Sequence, residues 1–267
     1  GRITATGSLV YTNVTEHVKI GDAPADFQRL APSFTVSLQP WQEQLLFLRL
    51  MYKSTFRMPT FNDLYYYRLG NRSLRPEKAN EYNMGITWSR SFSSFLNYLS
   101  VTVDGYYNDV TDKIVAFPTT YAWKMANYGK VHVTGMDATL AAAASLGKNM
   151  VLVVSGGYTW QKAIDLTDAT SKSYKDQLPY TPKHSGNVSA VLEMPWVNVG
   201  YSIVGVSERY SMSQNIPENR IDGYMEHTAS LSRNFSFRHC KLRLQAEIIN
   251  MTDTQYDVIK YYPMPGR

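Results

Sequence analysis

The sequence predicts an all-β fold, an antiparallel transmembrane β-barrel, and three observations carry that expectation. Apolar and polar residues alternate in segment after segment. Many of those segments run longer than the usual five or six residues of a strand. The connections between them alternate short and long. Composition agrees: of 267 residues 44% are hydrophobic and 13% aromatic, with 20 Tyr, yet only 18% are charged. Soluble domains carry roughly 25% charged residues. No apolar run approaches the ~18 residues a membrane helix needs. Strands with one face toward lipid and the other toward a polar lumen reconcile these facts. On composition alone, a soluble β-sandwich or lectin-like domain fits equally well.

The alternation is explicit in four places. Phe34, Val36 and Leu38 alternate with Ser33, Thr35, Ser37 and Gln39. Val101, Val103 and Tyr107 alternate with Thr102, Asp104 and Asn108. Val188, Ala190, Leu192 and Met194 oppose Asn187, Ser189 and Glu193. The clearest case sets Leu242, Leu244, Ala246 and Ile248 against Lys241, Arg243, Gln245 and Glu247. Burying four such polar groups without partners is costly, so that face needs water or polar neighbours. A filled small barrel rejects it; a wide polar lumen accepts it. Less regular stretches at 3–13, 44–56, 81–91, 130–143, 150–162, 197–208 and 224–234 bring the total to about eleven strands. Their lengths suit tilted membrane strands of about 9–11 residues.

Short connections fall near 39–43, 91–96, 145–149, 194–197 and 235–239. Long ones occupy 14–31, 57–80, 109–129, 163–184, 209–223 and 251–265. Short turns at one end and long loops at the other mark an outer-membrane barrel. A soluble sandwich has no reason to sort its loops by parity. The chain opens inside a strand pattern, without a charged segment leading into an apolar one, and stops as a twelfth strand begins. Residues 1–267 are therefore expected to be part of a larger barrel, since a stand-alone barrel must close.

Several function classes lose support. The net charge is +5, but the 27 Lys and Arg are dispersed and interleave with no compact stacking surface, so nucleic acid is not an expected partner. The single Cys240 allows no internal disulfide. His132, His184, His227 and His239 lack zinc-like spacing, and no metal or cofactor is expected. No serine sits in a nucleophile elbow. Asp104, Asp109 and Asp112 with Asn108 lack the glycine turn of a calcium loop and read as lumen lining or loop solvation.

One resemblance narrows the class. Phe56-Arg57-Met58-Pro59-Thr60-Phe61-Asn62-Asp63-Leu64-Tyr65, followed by Gly70-Asn71 and Leu74-Arg75-Pro76-Glu77, resembles a signature of TonB-dependent outer-membrane receptors. In that family a strand ends in FR-x-P and a loop returns through G-N-x-x-L-x-P-E, then an acidic residue and a glycine, here Glu81 and Gly85. Leu178-Pro179-Tyr180-Thr181-Pro182-Lys183-His184 is similar to the family's entry to a later strand. Asn250-Met251-Thr252-Asp253 with Tyr256, and Tyr262-Pro263-Met264-Pro265-Gly266-Arg267, are similar to its penultimate loop and the ending of that loop. The four patterns come in the family's order.

The resemblance implies the C-terminal 11 or 12 strands of a barrel of about 22, with plug, TonB-contacting segment, early strands and final strand lying outside residues 1–267. It implies a Gram-negative outer membrane, extracellular long loops and uptake of a bulky, scarce nutrient energised by the TonB complex. No covalent chemistry is implied. The expected ligand is cobalamin, with a ferric siderophore as the close alternative. Outer-membrane lipid and a surface lipoprotein are the other expected partners. From other classes, a barrel enzyme of the outer membrane or a soluble carbohydrate-binding β protein stand as alternatives.

Within that frame Tyr65, Tyr66, Tyr67 and Arg68 in loop 57–80 are candidate ligand contacts, because rigid aromatic faces and a cation can clamp a corrinoid or aromatic siderophore. Tyr121, Trp123 and Tyr128 in loop 109–129 are candidates on the same grounds. All seven can equally belong to the interfacial aromatic girdle of such barrels. Arg57, Pro59, Asn71, Leu74, Pro76 and Glu77 are expected to shape the loop's return to the wall rather than to touch ligand.

Overall fold

The computed structural model describes residues 1–15, 17, 26–118, 122–147, 149–238 and 240–267. Among these residues fifteen strands form: β1 (Arg2–Val14), β2 (Phe27–Gln39), β3 (Leu45–Arg57), β4 (Glu77–Ser91), β5 (Leu96–Pro118), β6 (Trp123–Gly147), β7 (Met150–Asp165), β8 (His184–Glu193), β9 (Asn198–Val206), β10 (Arg209–Tyr210), β11 (Arg220–Ile221), β12 (Tyr224–Ser236), β13 (Lys241–Ile248), β14 (Asp257–Ile259) and β15 (Tyr262–Pro263). A short helix, α1 (Phe61–Tyr65), follows β3. Eleven strands make one sheet in the order β1-β2-β3-β4-β5-β6-β7-β8-β9-β12-β13, every pair antiparallel. The pairs β10–β11 and β14–β15 are separate hairpins within the long connections. Among the described residues the sheet does not close on itself: β1 and β13 are its two edges.

The eleven alternating segments of the sequence correspond one for one to these sheet strands. One expectation fails. Residues 109–118 and 123–129 are strand rather than loop, because β5 and β6 continue pairing through Lys113↔Tyr128 and Ala116↔Met125. Trp123 and Tyr128 therefore lie in β6, not in a loop. The reason is physical: past the wall one face of this hairpin, with Val110, Ile114, Met125 and Val131, is buried under the loops, while the polar run Thr111-Asp112-Lys113, with Asp112 at φ 54°, interrupts the alternation that would have marked the strand. Tyr121 falls outside the described residues, as does His239.

Directly paired residues share a face, so register assigns each side chain. One face carries Phe34, Leu50, Tyr52, Met84, Ile86 and Leu140, most of them well exposed. The other carries Arg49, Asp104, Thr87 and Thr102, with Arg49 Nη2 to Asp104 Oδ1 at 2.8 Å and Arg49 Nη1 to Thr87 Oγ1 at 2.8 Å. An exposed apolar face opposite a hydrogen-bonded polar one is the division between lipid and lumen. Gly85 lies on the polar face, where a Cβ would push the Asp104 carboxylate aside.

A row of tyrosines crosses the apolar face. Tyr52, Tyr82 and Tyr107 are directly paired, with ring centroids 5.1 Å and 6.2 Å apart. The partners of Tyr107 run through Thr134 to Lys162, and Tyr158 sits four residues from Lys162 toward the short turns. The partners of Tyr158 run through Gly186 to Gly205, and Tyr201 again sits four residues lower. From β3 to β9 the row thus descends about 1.3 residues per strand. With a rise of about 3.3 Å and a spacing of about 4.8 Å, the row is level when strands tilt by about 42°. That tilt lies within the ~35–45° of outer-membrane barrels.

Buried packing concentrates at the long-loop end. Leu64, Leu74, Ile114 and Met125 form one cluster, and Val110, Val131, Ala163 and Leu178 another.

Candidate ligand-binding site at the long-loop end

Loop 58–76 is built from its own sequence. Thr60 caps α1: its hydroxyl accepts from Asp63 N, while Asp63 accepts from Thr60 N at 2.8 Å, a reciprocal capping box. Arg57 Nη2 donates to the same carboxylate at 2.8 Å. Burial alone would raise the Asp63 pKa, but the bonds from Thr60 N–H, Arg57 and the Thr60 hydroxyl outweigh it and hold the carboxyl below its ordinary value. Asn71 closes the loop, donating from Nδ2 to Met125 O at 3.0 Å and from its backbone N–H to Asp63 O at 2.8 Å. Leu74 fills the cluster beneath. Glu77 accepts from Ile114 N at 3.0 Å and pairs with Lys113 at 3.6 Å, with Arg57 at 4.0 Å. Arg75 donates to Asp112, and Asn127 ties the Arg75 backbone to Asp112 O. Pro59 and Pro76 bracket the loop just outside β3 and β4.

Two of the candidate tyrosines are displayed and one is anchored. Tyr65 packs against the Leu64–Leu74–Ile114–Met125 cluster, with Phe61 5.0 Å away and the Arg72 guanidinium 5.2 Å above its ring. Tyr66 is 58% exposed and Tyr67 79%. Arg68 has φ 63°, a conformation rare outside glycine, and its guanidinium lies 5.1 Å from the Tyr67 ring. Tyr67 and Arg68 thus present a joined aromatic and cationic surface.

Trp123 and Tyr128 turn to other loops. The Trp123 ring is 5.8 Å from Tyr180, which sits at φ 56° and donates its backbone N–H to Tyr210 O. Tyr128 is half-buried over the Val131 cluster and hydrogen-bonds Ser213 at 2.6 Å; burial pushes its phenol pKa up. The six described candidates therefore divide into separate groups.

A further group was not signalled by the sequence. Tyr224 and Tyr256 stack at 3.8 Å, with the buried Arg209 guanidinium 5.8 Å from the Tyr224 ring. Arg209 donates to Asp257 O and Val258 O, fastening the β14–β15 hairpin to β10. Tyr256 donates to Glu226 Oε2 at 2.5 Å, and that bond, with burial, pushes its pKa up to about 12. Asn215 joins loop 166–183 to loop 207–223 through both Gln177 and Asp176. The hint the sequence offered was the Asn250–Asp253 motif, which named Tyr256 but neither Tyr224 nor Arg209.

A lipid-facing wall, a polar lumen face and a mutually braced set of long loops define a barrel receptor. A sequence model described as "TonB dependent receptor-like, beta-barrel" matches residues 1–251. The chain belongs to the TonB-dependent receptor family. It is 24% identical over 220 residues to the vitamin B12 transporter BtuB of Photobacterium profundum, covering 79% of this chain and 32% of that protein. To the vitamin B12 transporter BtuB of Vibrio vulnificus it is 32% identical over 84 residues, 31% of this chain and 13% of that one. The chain thus spans a third or less of these relatives. Its fold matches the ferric-catecholate import receptor Fiu of E. coli K12 with a TM-score of 0.66 at 20% identity, covering 91% of this chain and 34% of that one. The family and these neighbours are transport receptors rather than enzymes, and the family is one of outer-membrane β-barrels.

Proposed function

We propose that residues 1–267 form part of the barrel of an outer-membrane receptor for TonB-energised uptake of a cobalamin. The long loops face the cell exterior in this reading. The single observation that carries the substrate class is the 220-residue similarity to a vitamin B12 transporter. The displayed Tyr66, Tyr67 and Arg68 support it, because flat rings and a cation suit a large, planar, polar ligand. Tyr65, Trp123 and Tyr128 hold the loops that shape the mouth, and Arg57, Pro59, Asn71, Leu74, Pro76 and Glu77 lock loop 58–76 to β5 and β6. Tyr121 is retained as a candidate contact.

A ferric siderophore is the second reading, favoured by the fold match to a ferric-catecholate receptor. The TonB complex is a partner through a segment other than this wall, and a surface lipoprotein is a further candidate at the loop face. The test is uptake of labelled vitamin B12 by cells whose only outer-membrane route is the full-length receptor, with and without TonB. TonB-dependent accumulation is expected. Accumulation of ferric siderophore instead would overturn the cobalamin assignment and keep the receptor.

A further inference from the structure

Three of the histidines sit on the lipid-facing surface in one repeated arrangement. Each lies on the strand after a row tyrosine, two residues from that tyrosine's paired residue, toward the long loops. Tyr107 pairs with Thr134 and bonds His132; Tyr158 pairs with Gly186 and bonds His184; Tyr201 pairs with Ala229 and bonds His227. The hydroxyl-to-nitrogen distances are 3.2, 2.7 and 2.7 Å. In the second and third pairs the tyrosine takes Nδ1, and among the described residues Nε2 has no protein partner. His132 instead places Nε2 3.2 Å from Asp109.

On the same face, beyond this row, stand exposed lysines. Lys78 and Lys130 both pair with Thr111, and Lys162 pairs with Thr134. Lys130 reaches Asp109 only at 3.9 Å. From the short turns outward the wall thus presents apolar side chains, then hydrogen-bonded Tyr–His pairs, then ammonium groups. Acyl chains, a phosphate with acceptor oxygens, and net negative charge follow that order in a phosphorylated lipid.

The geometry points to a lipid-headgroup site: the Tyr–His pairs and the flanking lysines bind phosphate-monoester headgroups of the leaflet around the long loops. The tyrosine fixes each ring, so that Nε2–H of His184 donates to a phosphate oxygen while Lys162 on the adjacent β7 neutralises it; Lys130, and His227 three strands beyond Lys162, meet separate headgroups. This goes beyond nutrient uptake and rests on the membrane placement proposed above only for naming the leaflet.

The test uses the full-length receptor in phosphatidylcholine vesicles carrying spin-labelled phosphatidic acid, compared with spin-labelled phosphatidylcholine. Quenching of tryptophan fluorescence by brominated lipid reads insertion separately. Preferential immobilisation of the phosphatidic acid is expected. The variant Lys78→Gln/Lys130→Gln/Lys162→Gln loses that preference by roughly fivefold per lysine. The variant His184→Phe/His227→Phe, which keeps aromatic bulk, loses part of it. Equal immobilisation of the two lipids by the inserted wild type overturns the proposal. So does a histidine variant identical to wild type, which would leave only diffuse charge. Loss of the preference on adding inorganic phosphate would show a soluble-ion site and overturn the lipid assignment. Failure to insert would overturn this proposal together with the membrane placement.

Discussion

The wall of the sheet and loop 58–76 are held by different means. In the wall, β1 to β9, β12 and β13 are joined by backbone ladders, and most large apolar side chains point outward, exposed. Loop 58–76 has almost no ladder. It stands on a capping box, a buried Leu74, an Asn71 bridge and the Arg57–Asp63 and Glu77–Ile114 contacts. A single substitution therefore does little to the wall's framework and much to the loop. The comparison teaches where a receptor of this kind is adjustable: in the side-chain-braced loops, on a wall fixed by backbone pairing.

The sharpest way to break that contrast is Leu74→Ala. It empties a buried site and costs roughly 2–5 kcal/mol, all of it in loop docking. Amide exchange in residues 61–71 accelerates while exchange in β3 and β4 stays slow. If β3 and β4 exchange faster to the same degree, wall and loop are one cooperative unit and the contrast fails.

Tyr256→Phe is expected to be next in size, since it strips the Glu226 carboxylate of its hydroxyl donor at a cost of about 1–3 kcal/mol. A folded pKa of about 12 lies above the ordinary value of 10.0. The wild-type contribution is therefore complete below pH ~10 and is lost as pH climbs toward ~12. The variant lacks that alkaline loss. Melting curves of both proteins between those pH values measure it; parallel curves would contradict the assignment.

Thr60→Ala removes one half of the capping box and costs about 1 kcal/mol. Asp63, with its folded pKa lowered, stabilises the loop above the unfolded carboxylate value and ceases to as pH falls through the folded value. Exchange in α1 should therefore quicken on acidification in the wild type and much less in Asp63→Asn. The smallest expected effect is in the wall. Gly85→Ala displaces Asp104 from Arg49, and because that pair is well exposed the cost is within about 1 kcal/mol.

How much of this was legible depends on the same contrast. Wall strands announce themselves because lipid and lumen demand opposite side chains at alternate positions, as at Leu242 to Ile248. The β5–β6 extension announced little, since Thr111, Asp112 and Lys113 are polar in a row and the burial of Val110 and Ile114 under the loops is a tertiary fact. Loop 58–76 was visible through the motif residues Thr60, Asp63 and Pro76-Glu77; the first two act over three positions, whereas the Lys113 and Ile114 partners of Glu77 are 36 and 37 positions away and were not visible. The Tyr224–Tyr256 stack and the Arg209 anchor were not, because they join residues 32 and 48 or more positions apart. The Tyr–His pairs needed the register itself: their sequence separations of 25 and 26 mean nothing until β5 is laid against β6.

The most direct test of the central claim is titration of the purified full-length receptor with vitamin B12, beside Tyr66→Ala/Tyr67→Ala and Leu74→Ala. Saturable binding by the wild type, weakened by the displayed tyrosines' removal and by undocking of their loop, is the predicted result. Binding unchanged in both variants, or no cobalamin binding beside tight binding of a ferric siderophore, would contradict it.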